Sequence, residues 1–437
     1  MKKATISFFK IKGVLTPHVI FLSILLFYVN FVPQRVELFV ANKLSQFPLS
    51  ILLIILLIYL LILKVTIMAR RANTLAERNI IYVLSLLAEF SILSIIANSP
   101  INYWYSLLAS SYFYGPILMV YYTFMVANSR PKLNYFLKLF ICMIIGNISI
   151  SSLLLFYPEF CPKYMGWESA YQHSYRAVQP VIGGTTPLAF FCVFSMPLLM
   201  SILLKAKNKM VYSLLFFLLT SILILTYSRS ALLISIMAAL TLLIWFSIRK
   251  KEGSKLFILL FCLCAIFLCV LYYLVDVEYL LRFGDAPDIA RFTSTINGIE
   301  LIKMKPLLGR GWGTVYLRQY EMNDLNLLWK DFGFYYIDGF ESLPSPHNLY
   351  ILFGVEQGIL SPLLIILLFY LMIKKVIVTT NDDGDKILSI GFILSICSVA
   401  IFSLVSDILA TSYRISMVFW FTIGLGMSHA KLTKDIK

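Results

Sequence analysis

Charge is what this chain lacks most: Asp, Glu, Lys and Arg make up 14% of its 437 residues, against 60% hydrophobic. That balance excludes a soluble protein wrapped around a buried core and fits a chain dissolved in a bilayer. Strict apolar/polar alternation is missing as well, which excludes a transmembrane β-barrel. Histidine is scarce, with only His18, His173, His347 and His429, so chemistry that needs a base near neutral pH has few places to reside. Of the seven cysteines, only Cys161 falls in a polar loop, so the loops hold no disulfide framework within one chain. Cys262 and Cys264 have the wrong spacing for a metal and no histidine or carboxylate beside them; packing is their expected role. No metal and no cofactor is expected. Acidic residues are outnumbered, giving a net charge of +15. In a membrane protein, basic residues are first of all topology determinants on the cytoplasmic side, so nucleic acid is not an expected partner.

What is present is a series of long apolar runs. Those at 49–68 and 256–275 reach the ~20 residues that a helix needs to cross ~30 Å of hydrocarbon. About twelve spans are expected, near 15–32, 49–68, 79–98, 104–127, 133–157, 187–204, 210–227, 230–248, 256–276, 347–372, 387–406 and 412–428. The fold class is therefore all-α, a polytopic membrane protein. The basic start of the chain has no small-residue cleavage site after its first apolar run, which reads as an uncleaved first helix. Most of the lysines and arginines fall in alternate connections, and counting them places both termini in the cytoplasm. The outward-facing features are then a medium loop at 158–186, the junction around Arg229, and a long loop at 277–346 between spans nine and ten. In that long loop Ile296, Ile299, Leu301 and Ile302 recur at helical spacing, and Lys305-Pro306 follows, so the spacing predicts a helix inside a small folded cap. The domain reading is one transmembrane domain over 1–437, with the cap at 277–346 within it.

The polar residues in unusual places gather on the outward side. Arg229 joins two apolar spans without a loop. Tyr227, Ser228 and Ser230 add hydroxyls beside it, and a fixed guanidinium fork suits a diphosphate, although an arginine there can also reach lipid phosphates. Arg291 near the start of the cap helix and Arg176 in the medium loop are candidates for the same anion, or solvated surface charges. His347 opens span ten between Pro346 and Asn348. This is capping chemistry in its bland reading, and a ring kept neutral by the helix dipole, able to accept a proton, in its functional one. His173 is the rival outward histidine. Glu89 and Glu356 are the carboxylates deepest in the spans; Glu356 lies ~13 Å along a helix from His347, and it sits in Gly354-Val355-Glu356-Gln357-Gly358, a close-packing motif. Asp407 lies near the outer end of span eleven, where it could fix His347 or an arginine. Gly309-Arg310-Gly311-Trp312-Gly313 follows a helix and a proline and has no lysine after it. A tight turn packed on Trp312 is the expected reading, rather than a nucleotide loop. The aromatics of the cap and medium loop fit an interfacial belt or a sugar-stacking wall.

Four motifs occur in order: Tyr227-Ser228-Arg229-Ser230-Ala231-Leu232-Leu233; Arg291 heading a helix; Lys305-Pro306-Leu307-Leu308-Gly309-Arg310-Gly311-Trp312-Gly313; and His347-Asn348-Leu349-Tyr350 with Glu356-Gln357-Gly358-Ile359. Over roughly 210–372 the chain resembles the O-antigen ligase and polymerase superfamily, with Ser230 where the family often has glycine. The resemblance implies a metal-independent, GT-C-type membrane glycosyltransferase of the bacterial inner membrane. Such an enzyme moves a glycan from undecaprenyl diphosphate to an acceptor hydroxyl on the periplasmic face. It implies His347 as the catalytic residue and Arg229 and Arg291 on the diphosphate; beside it, the residues themselves offer Arg176 for the same anion and Tyr227, Ser228, Asn348 and Glu356 in support. The implied partners are the undecaprenyl-diphosphate-linked glycan, a lipid-linked or lipid A–core acceptor, the lipid bilayer and a chain-length regulator. A single displacement with inversion is expected, since no carboxylate pair at a retaining spacing is evident. Between the two activities the Phe- and Ile-rich, charge-poor composition leans to an O-antigen or capsule polymerase, with an O-antigen ligase as the alternative. A lipid-linked oligosaccharide transporter is the rival of another class.

Overall fold

The computed structural model describes residues 14–31, 75–98, 103–157, 185–206, 209–249, 286–312, 335–337, 340–342, 346–377 and 382–434. These form a helical bundle. In chain order the helices are α1 (Pro17–Phe31), α2 (Leu75–Asn98), α3 (Tyr103–Val126), α4 (Arg130–Phe156), α5 (Thr185–Lys205), α6 (Lys209–Leu225) and α7 (Arg229–Arg249). There follow α8 (Ala286–Met304), α9 (Leu349–Gln357), α10 (Leu360–Val376), α11 (Asp383–Phe402), the short α12 (Ile408–Thr411) and α13 (Tyr413–Lys434). One departure from an all-helical chain is a small antiparallel hairpin inside the expected cap, in which β1 (Tyr335–Ile337) pairs with β2 (Phe340–Ser342), Tyr336 opposite Glu341.

Among the described residues, five helices are long and apolar enough to cross a membrane: Arg78–Asn98, Arg130–Phe156, Thr185–Lys205, Arg229–Ile248 and Asp383–Phe402. Shorter apolar helices run over Pro17–Phe31, Phe113–Val126 and Lys209–Leu225. The spans expected at 49–68 and 256–276 lie outside the described residues. The single span expected at 347–372 is instead two helices, α9 and α10, which meet at Gly358 with φ 91°. No L side chain takes that φ easily, and a Cβ on Gly358 would strike the Leu307 carbonyl, so the sequence breaks the helix where the chain after α8 crosses it.

α5 and α13 are enclosed along almost their whole length. α13 packs against α3, and α5 against α11, α7 and α6. Their apolar seams carry interlocked aromatics, including Phe190, Phe194 and Phe419 in edge-on contacts and Trp420 stacked on Phe369. Close approach is purchased with glycine: Gly424 leaves room for the Val120 carbonyl and Thr123, and Gly391 for Ser201.

One end of the bundle is closed by ions. Asp385, at the start of α11, accepts from Arg130 of α4 at 3.2 and 3.0 Å and from Lys205 of α5 at 3.2 Å. Thr433 of α13 receives a bond from Arg130 at 2.9 Å, and His429 Nε2 lies 3.0 Å from the Asp385 carbonyl. The opposite end of α11, ~30 Å away by helix rise, is where the chain around His347 docks. That separation matches the hydrocarbon thickness of a bilayer.

Candidate active site

The local structure at His347 is set by its neighbour. Asn348, not His347 or Pro346, is the N-cap of α9: its Oδ1 accepts from the backbone N–H groups of Tyr350 and Ile351 at 3.0 and 3.1 Å. The same side chain donates through Nδ2 to the Leu404 carbonyl at 2.7 Å, and the Leu349 N–H donates to the Ser403 carbonyl at 2.9 Å. Tyr350 adds a bond from its hydroxyl to the Ala400 carbonyl at 2.8 Å. The turn is thus fastened to the end of α11. His347 stands just outside the helix in the left-handed region, φ 49°, a conformation uncommon for a non-glycine residue.

His347 is half-buried and Arg291 is exposed. Burial, with the positive charge of Arg291 adding to it, pushes the His347 imidazole down to about 4. The ring is therefore neutral at pH 7. The charge of Arg291, one of the arginines expected at the site, acts on it. Arg229 is half-buried and is the first residue of α7, after Tyr227 with φ 56°. The path of the chain puts it at the His347 end. α5 runs to Lys205 at the Asp385 end, α6 returns, and α7 starts after the turn 226–228. Ser228 starts α7 through its carbonyl, which accepts from Leu232 N–H at 3.0 Å. Arg176 and His173 lie outside the described residues.

The two deep carboxylates separate. Glu89 is exposed on the outside of α2, whereas Glu356 is 2% exposed at the far end of α9. Glu356 sits within electrostatic reach of Tyr114, which hydrogen-bonds Gln357. Ser94 holds the Glu356 carbonyl at 2.5 Å. This polar cluster terminates the half-helix α9. The glycine motif does the same: Arg310 N–H donates to Val355 O at 2.8 Å and Gly311 N–H to Glu356 O at 3.0 Å. Gly309 and Gly311 take φ 61° and 97°, and Trp312, 2% exposed, packs with Phe113, Tyr114 and Phe353. The expectation of a tight turn seated on Trp312 holds; its purpose, closing the carbonyl end of a broken helix, was invisible without α9. Asp407 is buried in the loop after α11, and burial pushes its carboxyl up to about 6.

Three residues that shape this region were not singled out from the sequence. Thr295 Oγ1 donates to the Pro346 carbonyl at 3.1 Å. Gly298 gives Pro346 and Ile351 room against α8. Arg414, 4% exposed at the start of α13, lies over the rings of Tyr28 and Tyr413. For the first two a signal existed: Thr295 and Gly298 follow Arg291 by four and seven residues, one face of a helix. Among the described residues no cluster of His, Cys, Asp and Glu could hold a metal ion.

No curated protein matches the chain. Residues 214–366, running from α6 into α10 and carrying Arg229, Arg291 and His347, match the model of the family described as O-Antigen ligase. That match supports the place of this multi-pass, helical chain in the O-antigen ligase and polymerase superfamily, to which the order of its motifs pointed.

Proposed function

We propose that the chain is an inverting, metal-independent glycosyltransferase of the bacterial inner membrane, and that it uses a glycan on undecaprenyl diphosphate as donor. The neutral His347 imidazole takes the proton of an acceptor hydroxyl while that oxygen bonds to the anomeric carbon. The bond from that carbon to the diphosphate breaks, and its electrons leave on the phosphate, whose charge Arg291 and Arg229, with Arg176, offset. The observation that carries the reading is a half-buried, neutral histidine acted on by the charge of Arg291, the two supplied by separate segments at one end of the bundle.

A ring held near pKa 4 is a weak base, and the pairing offsets part of that. Burial is the larger cause and remains; a diphosphate bound on Arg291 cancels the smaller one, the charge of Arg291. Donor binding thereby raises the basicity of the residue that must act next. The Asp385 end, with Arg130, Lys205, Lys386, Lys431 and Lys434, is the cytoplasmic one in this reading, and the His347 end is periplasmic.

We take the acceptor to be a further lipid-linked repeat unit, which makes the enzyme a polymerase working with a chain-length regulator; the charge-poor composition favours it. Transfer to lipid A–core, a ligase reaction, is the second reading, and the description of the matched family favours it. Alanine at Arg229 or at His347 should abolish product while the protein stays in the membrane. Normal glycan assembly by either variant refutes the scheme. The lipopolysaccharide of a deletion strain separates the two acceptors: one repeat on core marks a polymerase, and bare core with lipid-linked polymer accumulating marks a ligase. Transfer by purified protein in detergent, with no second compartment, excludes a transporter.

A further inference from the structure

We propose that Thr295 and Gly298 are positioning residues, which lock α8 in register on the turn 346–348 and so hold Arg291 beside His347. The inference rests on the reading of Arg291 and His347 as the reacting centre.

α8 and α9 lie side by side and run in the same direction. The contacts step along both together: Thr295 meets Pro346, Gly298 meets Ile351, and Ile302 meets Gly354. At the middle step a Cβ on Gly298 would lie 2.5 Å from Ile351 Cγ2 and 3.4 Å from Pro346. At the last step the roles reverse, and a Cβ on Gly354 would lie 2.6 Å from Ile302 Cδ1. Each helix offers the other one glycine socket and one isoleucine to fill it. Reciprocal sockets resist sliding in both directions, because a slip of one residue brings a side chain against a side chain. Thr295 adds the polar fastener, with its hydroxyl on the Pro346 carbonyl at 3.1 Å, one residue before His347.

Arg291, Thr295 and Gly298 project within ~60° of one another around the helix, and Arg291 stands one turn, ~6 Å, beyond Thr295. A helix docked through Thr295 and Gly298 therefore carries Arg291 out over the turn that presents His347. Arg291 itself is exposed, so its own packing does not fix it there. Both ends of the pair are pinned. The chain after α8 closes the carbonyl end of α9 through Arg310 and Gly311, and Asn348 and Leu349 bind the start of α9 to the end of α11.

The test measures placement and chemistry separately. Purified full-length protein with labelled histidine, its His347 signal assigned by His347→Gln, is titrated by NMR. The titratable or charged groups on the elements packed against the turn are Asp288, Arg291, Glu300 and Lys303 of α8, Tyr350 and Glu356 of α9, and Asp407 in the loop after α11, and of these the charge of Arg291 acts on His347. Gly298→Ala should raise the His347 midpoint, because α8 is pushed off Ile351 and its charge recedes. In an Arg291→Ala background the same change should shift the midpoint less, because only the change in burial remains. In donor-to-acceptor transfer, Thr295→Val should lower kcat about tenfold and Gly298→Ala about 100-fold, the scale of a misplaced reacting group, with smaller changes in KM. Thr295→Ser should restore activity, as should Ile351→Ala added to Gly298→Ala. If Gly298→Ala fails to fold, the Thr295 pair decides through the same two readouts. An unshifted His347 midpoint together with kcat within twofold of the parent overturns the proposal. Shifted midpoints in a protein that transfers no glycan, even unsubstituted, leave the lock standing and overturn the proposed function instead.

Discussion

Replacing Asn348 by alanine is the sharpest perturbation the fold offers, because one side chain both starts α9 and ties it to α11. The two backbone N–H bonds it accepts make up a helix cap, and removing a cap costs about 1 kcal/mol. The bond it donates to Leu404 O contributes about 1 kcal/mol more. For a chain of 437 residues, whose unfolding entropy is large, ~2 kcal/mol lowers Tm by only about 2 °C. Activity should suffer far more. The turn that carries His347 is fastened to α11 through this side chain, and a displacement of about 1 Å at a reacting group costs ~100-fold in rate. Asn348→Asp separates the contributions. Its carboxylate still caps the helix but cannot donate to Leu404 O, and it sets an anion next to His347, so about half of the Tm loss, ~1 °C, should remain while kcat falls to an intermediate value. The assay pairs thermal unfolding followed by tryptophan fluorescence with glycan transfer in detergent. Asn348→Ala that melts about 2 °C low yet transfers glycan at the parental rate would refute the claim that this cap positions the base.

Three further outcomes follow from particular contacts. With His347 at about 4 in the free enzyme and Arg291 neutralised by bound diphosphate, the acid limb of kcat/KM should fall near pH 4 and that of kcat at higher pH; limbs at the same pH would break the link between donor and base. Gly358→Ala should cost a few kcal/mol, since φ 91° is hostile to a side chain and its Cβ meets the Leu307 carbonyl; recovery of a normal monodisperse yield by size exclusion would contradict this. Asp385→Asn leaves Arg130 and Lys205 facing each other without their anion. Both bases are partly exposed, so the loss should be about 1–2 kcal/mol, seen as a lower Tm, with kcat within about threefold because the site lies ~30 Å away.

Composition alone places this chain in a bilayer. Apolar runs of membrane length cannot be satisfied in water, and basic residues at alternate connections sort themselves to one side; the ions around Asp385 now mark one end of the bundle. The helix carrying Arg291 was legible from its period, and the glycine turn from its φ-permissive residues. The other features come from packing, because their contacts join residues far apart in the chain. Hydropathy reads 347–372 as one span, since an average over apolar residues does not register Gly358; the break appears only when Leu307 is seen to lie across it. It likewise ranks Glu89 with Glu356, and only packing shows one facing outward and the other enclosed beside Tyr114. His347 alone reads as a capping residue. It becomes a neutral ring because burial, with the charge of Arg291 adding to it, lowers its pKa at a turn that α11 holds in place.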